Sequence, residues 1–193
     1  DSTSRGSLSG DTHNVYQKFR VDAQHFVLAV SDYCFHVGIG SIWQRFQDTL
    51  TKIENCLNRG DIDGTIEAAH SVPRLRDYHE DMLDQMLFAL FLSKRHAQAA
   101  NLLESIFGTI LGFSLLSRAD GIGMRNESEG AALHLYQSFR KQTSAFANYL
   151  RGLESGKATS KSMAKSGEFF SSRTDPTSIF EHLRVRLDIK NYY

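Results

Sequence analysis

The fold is limited above all by a stripe of apolar residues between Phe19 and Leu57, which recurs at steps of three or four positions. Such spacing places side chains on one face of an α-helix. The stripe shifts phase at Gly38-Ile39-Gly40, where either two helices meet at a tight joint or one long helix bends. We favour one long kinked helix, because no polar segment of loop length separates the two halves. The stripe consists of Phe19, Ala23, Phe26, Val30, Tyr33 and Val37, then Ile39, Ile42, Phe46, Leu50, Ile53 and Leu57.

Capping residues predict where the next helices begin and end. Gly60 suits the C-terminal cap of the long helix, and Asp61 suits the N-cap of a short helix from about Ile62 to His70. Pro73 fits the first turn of the following helix, where its missing N–H costs nothing. Ser93 is expected to cap a further helix over 94–117.

The helix over 94–117 is apolar around much of its circumference, which favours a central place in a bundle. Its apolar residues are Ala99, Leu102, Leu103, Ile106, Phe107, Ile110, Leu111, Phe113 and Leu115. A later helix over 127–153 keeps a heptad-like spacing at Ala132, Tyr136, Phe139, Thr143, Phe146, Leu150 and Leu153. A final helix, capped by Thr174 or Asp175, has Pro176 in its first turn and is expected to bury Ile179, Phe180, Leu183 and Leu187.

Two segments lack this periodicity. Residues 1–13 are rich in Ser, Gly, Asp and Thr and are expected to be a disordered tail or the end of an insertion. Residues 154–173 are rich in Ser, Lys and Gly and are expected to be a mobile basic loop. The sequence therefore predicts an all-α fold, a bundle of about six helices in residues 14–193 that includes one long kinked helix.

Composition argues against several classes of protein. Lys plus Arg and Asp plus Glu both number 22, so the basic footprint of a nucleic-acid-binding protein is missing. Two cysteines, Cys34 and Cys56, are too few for a disulfide framework and are expected to be reduced. No apolar run approaches the roughly 20 residues of a membrane span, so no membrane partner is expected. The N-terminus does not resemble a signal peptide and lacks Met, which suggests a piece of a longer protein.

Catalytic motifs are also missing from the sequence. Eight histidines are scattered without metal-ligand spacing, and Gly38-Ile39-Gly40 and Gly121-Ile122-Gly123 lack the other glycines of a nucleotide-binding loop. No nucleophile motif occurs. We therefore expect no enzyme, no cofactor and no metal. An acidic run that contains Asp77, Asp81 and Asp84 is interpreted as a solvated helix face, with an acidic contact patch as the alternative.

Five sequence features in their order along the chain resemble the C-terminal domain of the gamma-tubulin complex component family. The first is the long helix from Phe19 to Leu57, and the second is the dipeptide Ala69-His70. The others are the apolar helix around Ile106-Phe107 and Phe113, the segment Phe139 to Phe146, and the ending Arg186-Leu187-Asp188 with Tyr192-Tyr193. The resemblance covers most of residues 14–193.

The resemblance implies a helical bundle that is the distal part of a gamma-tubulin-binding domain. It implies a non-catalytic scaffold whose partners are gamma-tubulin and other gamma-tubulin complex components, and which supports microtubule nucleation at organising centres. The implied location is the cytoplasm and cytoskeleton, at the microtubule organising centre or spindle pole. The alternative is a general all-helical adaptor domain that binds other protein partners.

The end of the chain supplies the candidate protein-binding residues. We predict that a segment past the last helix contacts the partner, because tyrosines are favoured anchors at protein interfaces. An alternative remains, in which the two terminal tyrosines fold back and pack on the bundle. The candidate residues are Asp188, Lys190, Asn191, Tyr192 and Tyr193.

Overall fold

A computed structural model describes residues 4–64, 72–120, 128–155 and 176–188 of the chain, and these residues are almost entirely helical, with no β-strand among them. The prediction of an all-α bundle is confirmed. The helices are α1 (Ser4–Asp32), a π-helix (Tyr33–Ser41), α2 (Ile42–Asn58), α3 (Val72–Ala89), a 3₁₀ turn (Lys94–His96), α4 (Ala97–Asp120), α5 (Ser128–Ser155) and α6 (Pro176–Asp188).

The first three helical elements follow one another without a break, which confirms one long kinked helix. Both glycines of Gly38-Ile39-Gly40 lie inside the π-helix. Because a π-helix closes its hydrogen bonds over five residues rather than four, it rotates the residues that follow it relative to an α-helical stripe. This extra rotation explains the phase shift that the sequence places at the same glycines.

The start of α1 differs from the sequence-based expectation. Residues 4–13, which we predicted to be part of a disordered tail, are helical and lead directly into the apolar stripe. No proline interrupts this segment, and each residue added to an existing helix gains a hydrogen bond without a new nucleation cost. Composition alone therefore gave the wrong prediction for these residues.

The described residues of 1–30 and 98–193 form one compact unit, here called unit 1. Its core is an aromatic cluster, in which the Phe19 ring centroid lies 4.0 Å from that of Phe113 and 5.1 Å from that of Phe139. Phe26 contacts Phe146 edge-on at 6.2 Å between centroids. The predicted buried face of α6 is confirmed: Ile179, Phe180, Leu183 and Leu187 are all buried.

The described residues of 31–97 form the second compact unit, unit 2. The Tyr33 hydroxyl donates a 2.7 Å hydrogen bond to the carbonyl oxygen of Ala89, and the Phe46 ring stacks on Tyr78 with 5.4 Å between centroids. Gly38 allows the backbone to approach Leu90 closely, because a Cβ at this position would lie 3.0 Å from the Leu90 Cδ2 atom. The π-helix is thus held against α3 and the residues that follow it.

Several predicted helix ends are corrected by the structure. Ser93 has the extended conformation of an N-cap, but its side chain makes no capping hydrogen bond, and the 3₁₀ turn precedes α4. α4 continues to Asp120, beyond the predicted end at residue 117. Pro73 lies in the first turn of α3 as predicted. Residues 62–64 are helical, but the rest of the short helix predicted to His70 lies outside the described residues. The predicted loop 154–173 also lies outside them, except for residues 154 and 155, which are the end of α5.

The largest error of the sequence-based prediction concerns α4. One face is buried, with Ile106 and Phe113 in the core of unit 1. The opposite face is open, since Leu111 and Leu115 are 65% and 67% exposed. A helix that is apolar on both sides was expected to lie at the centre of the bundle, but composition does not say which side has a partner.

Candidate protein-interaction surfaces

The end of α6 is where the predicted binding segment leaves the described part of the chain. Asp188 is the last residue of α6 rather than part of a tail beyond it. Its carboxylate accepts hydrogen bonds from Arg184 of the same helix, at 3.2 Å, and from Arg151 of α5, at 3.1 Å. The positive side chains also suit the negative end of the α6 helix dipole.

These ion pairs give Asp188 a clear structural role. It ties the C-terminal end of α6 to α5, and so fixes the point from which the last residues start. The structure does not bring Asp188 together with the other four predicted residues, because Lys190, Asn191, Tyr192 and Tyr193 lie outside the described residues. Their contact with a partner stays a prediction.

The stretch of α5 from Tyr136 to Phe146, whose residues 139–146 carry part of the family resemblance, has a packing role in unit 1. Phe139 and Thr143 are buried, and the Tyr136 hydroxyl donates a 2.9 Å hydrogen bond to the carboxylate of Asp22 on α1. Arg140 lies 3.8 Å from the same carboxylate. Burial and the bond to Asp22 both raise the pKa of Tyr136. This network connects α1 to α5, and Asp22, at 2% exposure, is not available to a partner.

Large apolar side chains on open helix faces are the surface feature that sequence reasoning missed. In unit 2, Phe35 is 66% exposed and Trp43 is 45% exposed. In unit 1, the open face of α4 carries Leu111 and Leu115. In the sequence, Phe35 lies between the stripe positions Tyr33 and Val37 but outside the stripe. This position could have identified Phe35 as exposed. Exposed aromatic side chains are typical of surfaces that bind another protein.

In the described ranges no metal-binding cluster occurs, and the Cys34 thiol is not activated. No group of three or more His, Cys, Asp or Glu side chains is placed to hold a metal ion in the described ranges. Cys34 and Cys56 are both free and half-buried. Burial raises the pKa of the Cys34 thiol, which disfavours the reactive thiolate.

Two helical stretches are apolar and long enough to cross a membrane by length and composition alone, Asn14–Asn58 and Leu75–Ala119. The expectation that no apolar run approaches that length was therefore too strict. The most apolar window of each stretch is only partly buried, 33% and 17% respectively. Core helices of soluble proteins pass the same test, so the observation points first to apolar surface that is not covered by the described residues.

Comparison with known protein families gives a match over the entire chain. The model of the family described as gamma tubulin complex component C-terminal matches residues 1–193. Searches of curated proteins and of solved structures return no match. The family implies a role in the gamma-tubulin complex and in microtubule nucleation, which takes place at microtubule organising centres. The helical architecture and the family match agree, and the chain belongs to the gamma tubulin complex component C-terminal family.

Proposed function

We propose that this chain binds gamma-tubulin as a non-catalytic scaffold within the gamma-tubulin complex and thereby supports microtubule nucleation at organising centres. The observation that carries the proposal is the family match over residues 1–193. Its partners would be gamma-tubulin and other gamma-tubulin complex components, in the cytoplasm and on the cytoskeleton at the spindle pole. The zero formal net charge supports a protein partner rather than nucleic acid.

The physical basis of such binding would be a preformed helical surface. The aromatic cluster of unit 1 and the Tyr33–Ala89 hydrogen bond of unit 2 hold the helices without a partner. A surface that is already ordered loses little conformational entropy when it binds. Exposed aromatic side chains such as Phe35 and Trp43 would add anchors that exclude water.

We further propose that the end of the chain takes part in this contact. Asp188 fixes the last turn of α6 to Arg151, so residues that follow it start from a defined position. Within the proposed segment, Tyr192 and Tyr193 would supply aromatic anchors, and Lys190 and Asn191 would supply hydrogen-bond donors.

Size-exclusion co-elution with purified gamma-tubulin tests both proposals, with α/β-tubulin as the control for tubulin selectivity. We expect the chain to share a peak with gamma-tubulin alone. A variant with Tyr192→Ala and Tyr193→Ala should bind about tenfold more weakly or worse, because each tyrosine anchor contributes on the order of 1–2 kcal/mol. The matched control is Leu57→Ala, which removes an exposed apolar side chain of α2 and should leave binding unchanged.

The outcomes distinguish gamma-tubulin binding by the chain from the proposed role of its last residues in that binding. If the folded chain elutes apart from gamma-tubulin, the scaffold function is wrong and a general helical adaptor replaces it. If the tyrosine variant co-elutes as strongly as the unchanged chain, gamma-tubulin binding stands but the contact lies elsewhere. Lower thermal stability of that variant, with unchanged binding, would favour the tyrosines packing on the bundle.

A further inference from the structure

The open face of α4 is a continuous row of side chains rather than a scatter of exposed residues. The row, here called the α4 seam, consists of Glu104, Gly108, Leu111, Leu115 and Arg118, at steps of four, three, four and three. All five are exposed. Such a repeat is the spacing with which one helix packs lengthwise against another. Isolated exposed leucines need no explanation, but a seam of this form does.

The other side of α4 is already occupied, so the seam is not a core face of unit 1. Phe113 packs on Phe19, and the Thr109 hydroxyl donates a 2.9 Å hydrogen bond to the side-chain oxygen of Gln142 on α5. These residues point away from the seam, about half a helical turn around the axis. A second element could therefore lie along the seam without displacing anything in the described part of unit 1.

The charges of the α4 seam indicate which kind of helix could pack along it. Glu104 lies seven positions before Leu111, and Arg118 lies seven positions after it. If two copies of α4 meet in antiparallel orientation at Leu111, each Glu104 faces the Arg118 of the other copy. A parallel arrangement would instead place like charges together, which is unfavourable. Within the described residues, neither side chain has an ion-pair partner of its own.

Shape supports the same pairing. Phe107, which is 36% exposed at the edge of the seam, lies four positions before Leu111 and would face Leu115 of the other copy. Gly108 would face Ser114, which is exposed. A Cβ built on Gly108 meets no atom within 4 Å, so the glycine leaves a shallow notch into which another helix can settle.

We propose that two copies of this chain associate through the α4 seam, with the two helices antiparallel and Leu111 at the twofold centre. Such a contact is self-complementary, as a twofold interface between identical chains must be. Burying Leu111, Leu115 and Phe107 drives the association, and the two Glu104–Arg118 pairs set its direction. The inference does not depend on gamma-tubulin binding.

A charge-reversal cycle tests the pairing by sedimentation velocity over a range of chain concentrations. Glu104→Arg alone and Arg118→Glu alone should each weaken the dimer by about tenfold or more, because each change turns two attractive pairs into repulsive ones. The double variant restores opposite charges and should recover most of the lost affinity. Glu54→Arg, an exposed reversal on α2, is the matched control and should have no effect.

Disulfide trapping tests the centre and the direction of the contact. Leu111→Cys should form a linked dimer rapidly under mild oxidation, since the two positions would face each other. Asn101→Cys, exposed on the same helix, should not, because antiparallel pairing separates the two copies of that position by about 30 Å along the axis. The unchanged chain is the control for disulfide bonds formed through Cys34 or Cys56.

Three results would overturn the proposal. One is a chain that stays monomeric at every concentration, in which case another protein or a membrane covers the seam. Another is a dimer that tolerates both single charge reversals. A third is equal trapping at Leu111 and Asn101, which would indicate parallel helices. Circular dichroism on each variant separates loss of association from loss of folding, and all substituted side chains are exposed in the single chain.

Discussion

Asp22 is a buried carboxylate that accepts a hydrogen bond from Tyr136, which lies 114 residues further along the chain. At the residue scale this is the kind of feature that sequence reasoning cannot find. Asp22 lies next to Ala23 of the apolar stripe, and no pattern in the neighbouring sequence distinguishes it from an exposed polar residue. Only the packing of α1 against α5 makes it a structural residue, since a buried charge needs partners to persist.

Tyr33 leads to a prediction about alkaline pH. Burial raises the pKa of Tyr33 far above its ordinary value, because the ionised form would have to lose its water and its hydrogen bond to Ala89. The neutral tyrosine is thus favoured in the folded state. Its contribution to the free energy of unfolding is fully present below about pH 10 and falls as the pH rises above that value, where the unfolded chain ionises.

Urea unfolding curves of the unchanged chain and of the Tyr33→Phe variant, recorded between pH 8 and 11, test this prediction. The variant should be less stable at pH 8 by about 1–2 kcal/mol, because it loses a buried hydrogen bond. Its stability should decline less steeply above about pH 10. Identical slopes for the two proteins would mean that Tyr33 is more accessible to water than the structure indicates.

At the scale of elements, the sequence predicted the long helix well and its geometry only in part. The apolar stripe located the helix from Phe19 onward, and the phase shift located its irregular part. The spacing could not tell a tight joint from a π-helix, because the apolar stripe changes phase in both cases. For α4 the prediction failed in a different way. Ile106 and Leu111 are equally apolar, and only the arrangement of α1 and α5 decides that one is buried and the other exposed.

The glycines of the π-helix give a prediction at this scale. A Cβ at residue 40 would lie 2.8 Å from the carbonyl oxygen of Phe35, which is too close for an unstrained side chain. Gly40→Ala should therefore reduce the free energy of unfolding by about 1–3 kcal/mol, despite the better helix propensity of alanine. To avoid this contact, the π-helix would have to change its hydrogen bonds to make room for the added Cβ atom.

Gly152→Ala is the matched control for that substitution. A Cβ on Gly152 of α5 meets no atom within 4 Å, so only the gain in helix propensity remains. This variant should be more stable by about 0.5 kcal/mol. Thermal or urea unfolding of both variants measures the contrast. A Gly40→Ala protein as stable as the Gly152→Ala protein would contradict the close contact in the π-helix.

At the scale of the whole molecule, the family match and the exposed apolar surface both favour a chain whose apolar surface is covered by other proteins. The sequence predicted the family from the order of several weak motifs, none of which was sufficient alone. It could not predict which surfaces stay open, because that depends on the packing of helices far apart in sequence. The apolar windows in Asn14–Asn58 and Leu75–Ala119 leave a membrane as the competing explanation.

We expect the chain not to bind membranes, for two structural reasons. The buried face of α1 already packs Phe19 on Phe113 and holds Asp22, a carboxylate that is costly in a bilayer. The stretch Leu75–Ala119 is not one uninterrupted helix, since α3 ends at Ala89 and Phe91 has a φ of 60°. Either stretch would have to abandon these contacts or straighten its backbone to cross a bilayer.

Flotation with neutral phosphatidylcholine vesicles checks this prediction. The unchanged chain should stay in the protein fraction at the bottom of the gradient, and so should Leu111→Asp, which places a charge in the centre of the α4 seam. If the unchanged chain floats and Leu111→Asp does not, the seam is a membrane-binding surface and the proposed pairing of two copies is wrong. If both float, a surface other than the seam carries the attraction, because one carboxylate there would be enough to oppose burial of α4 in lipid.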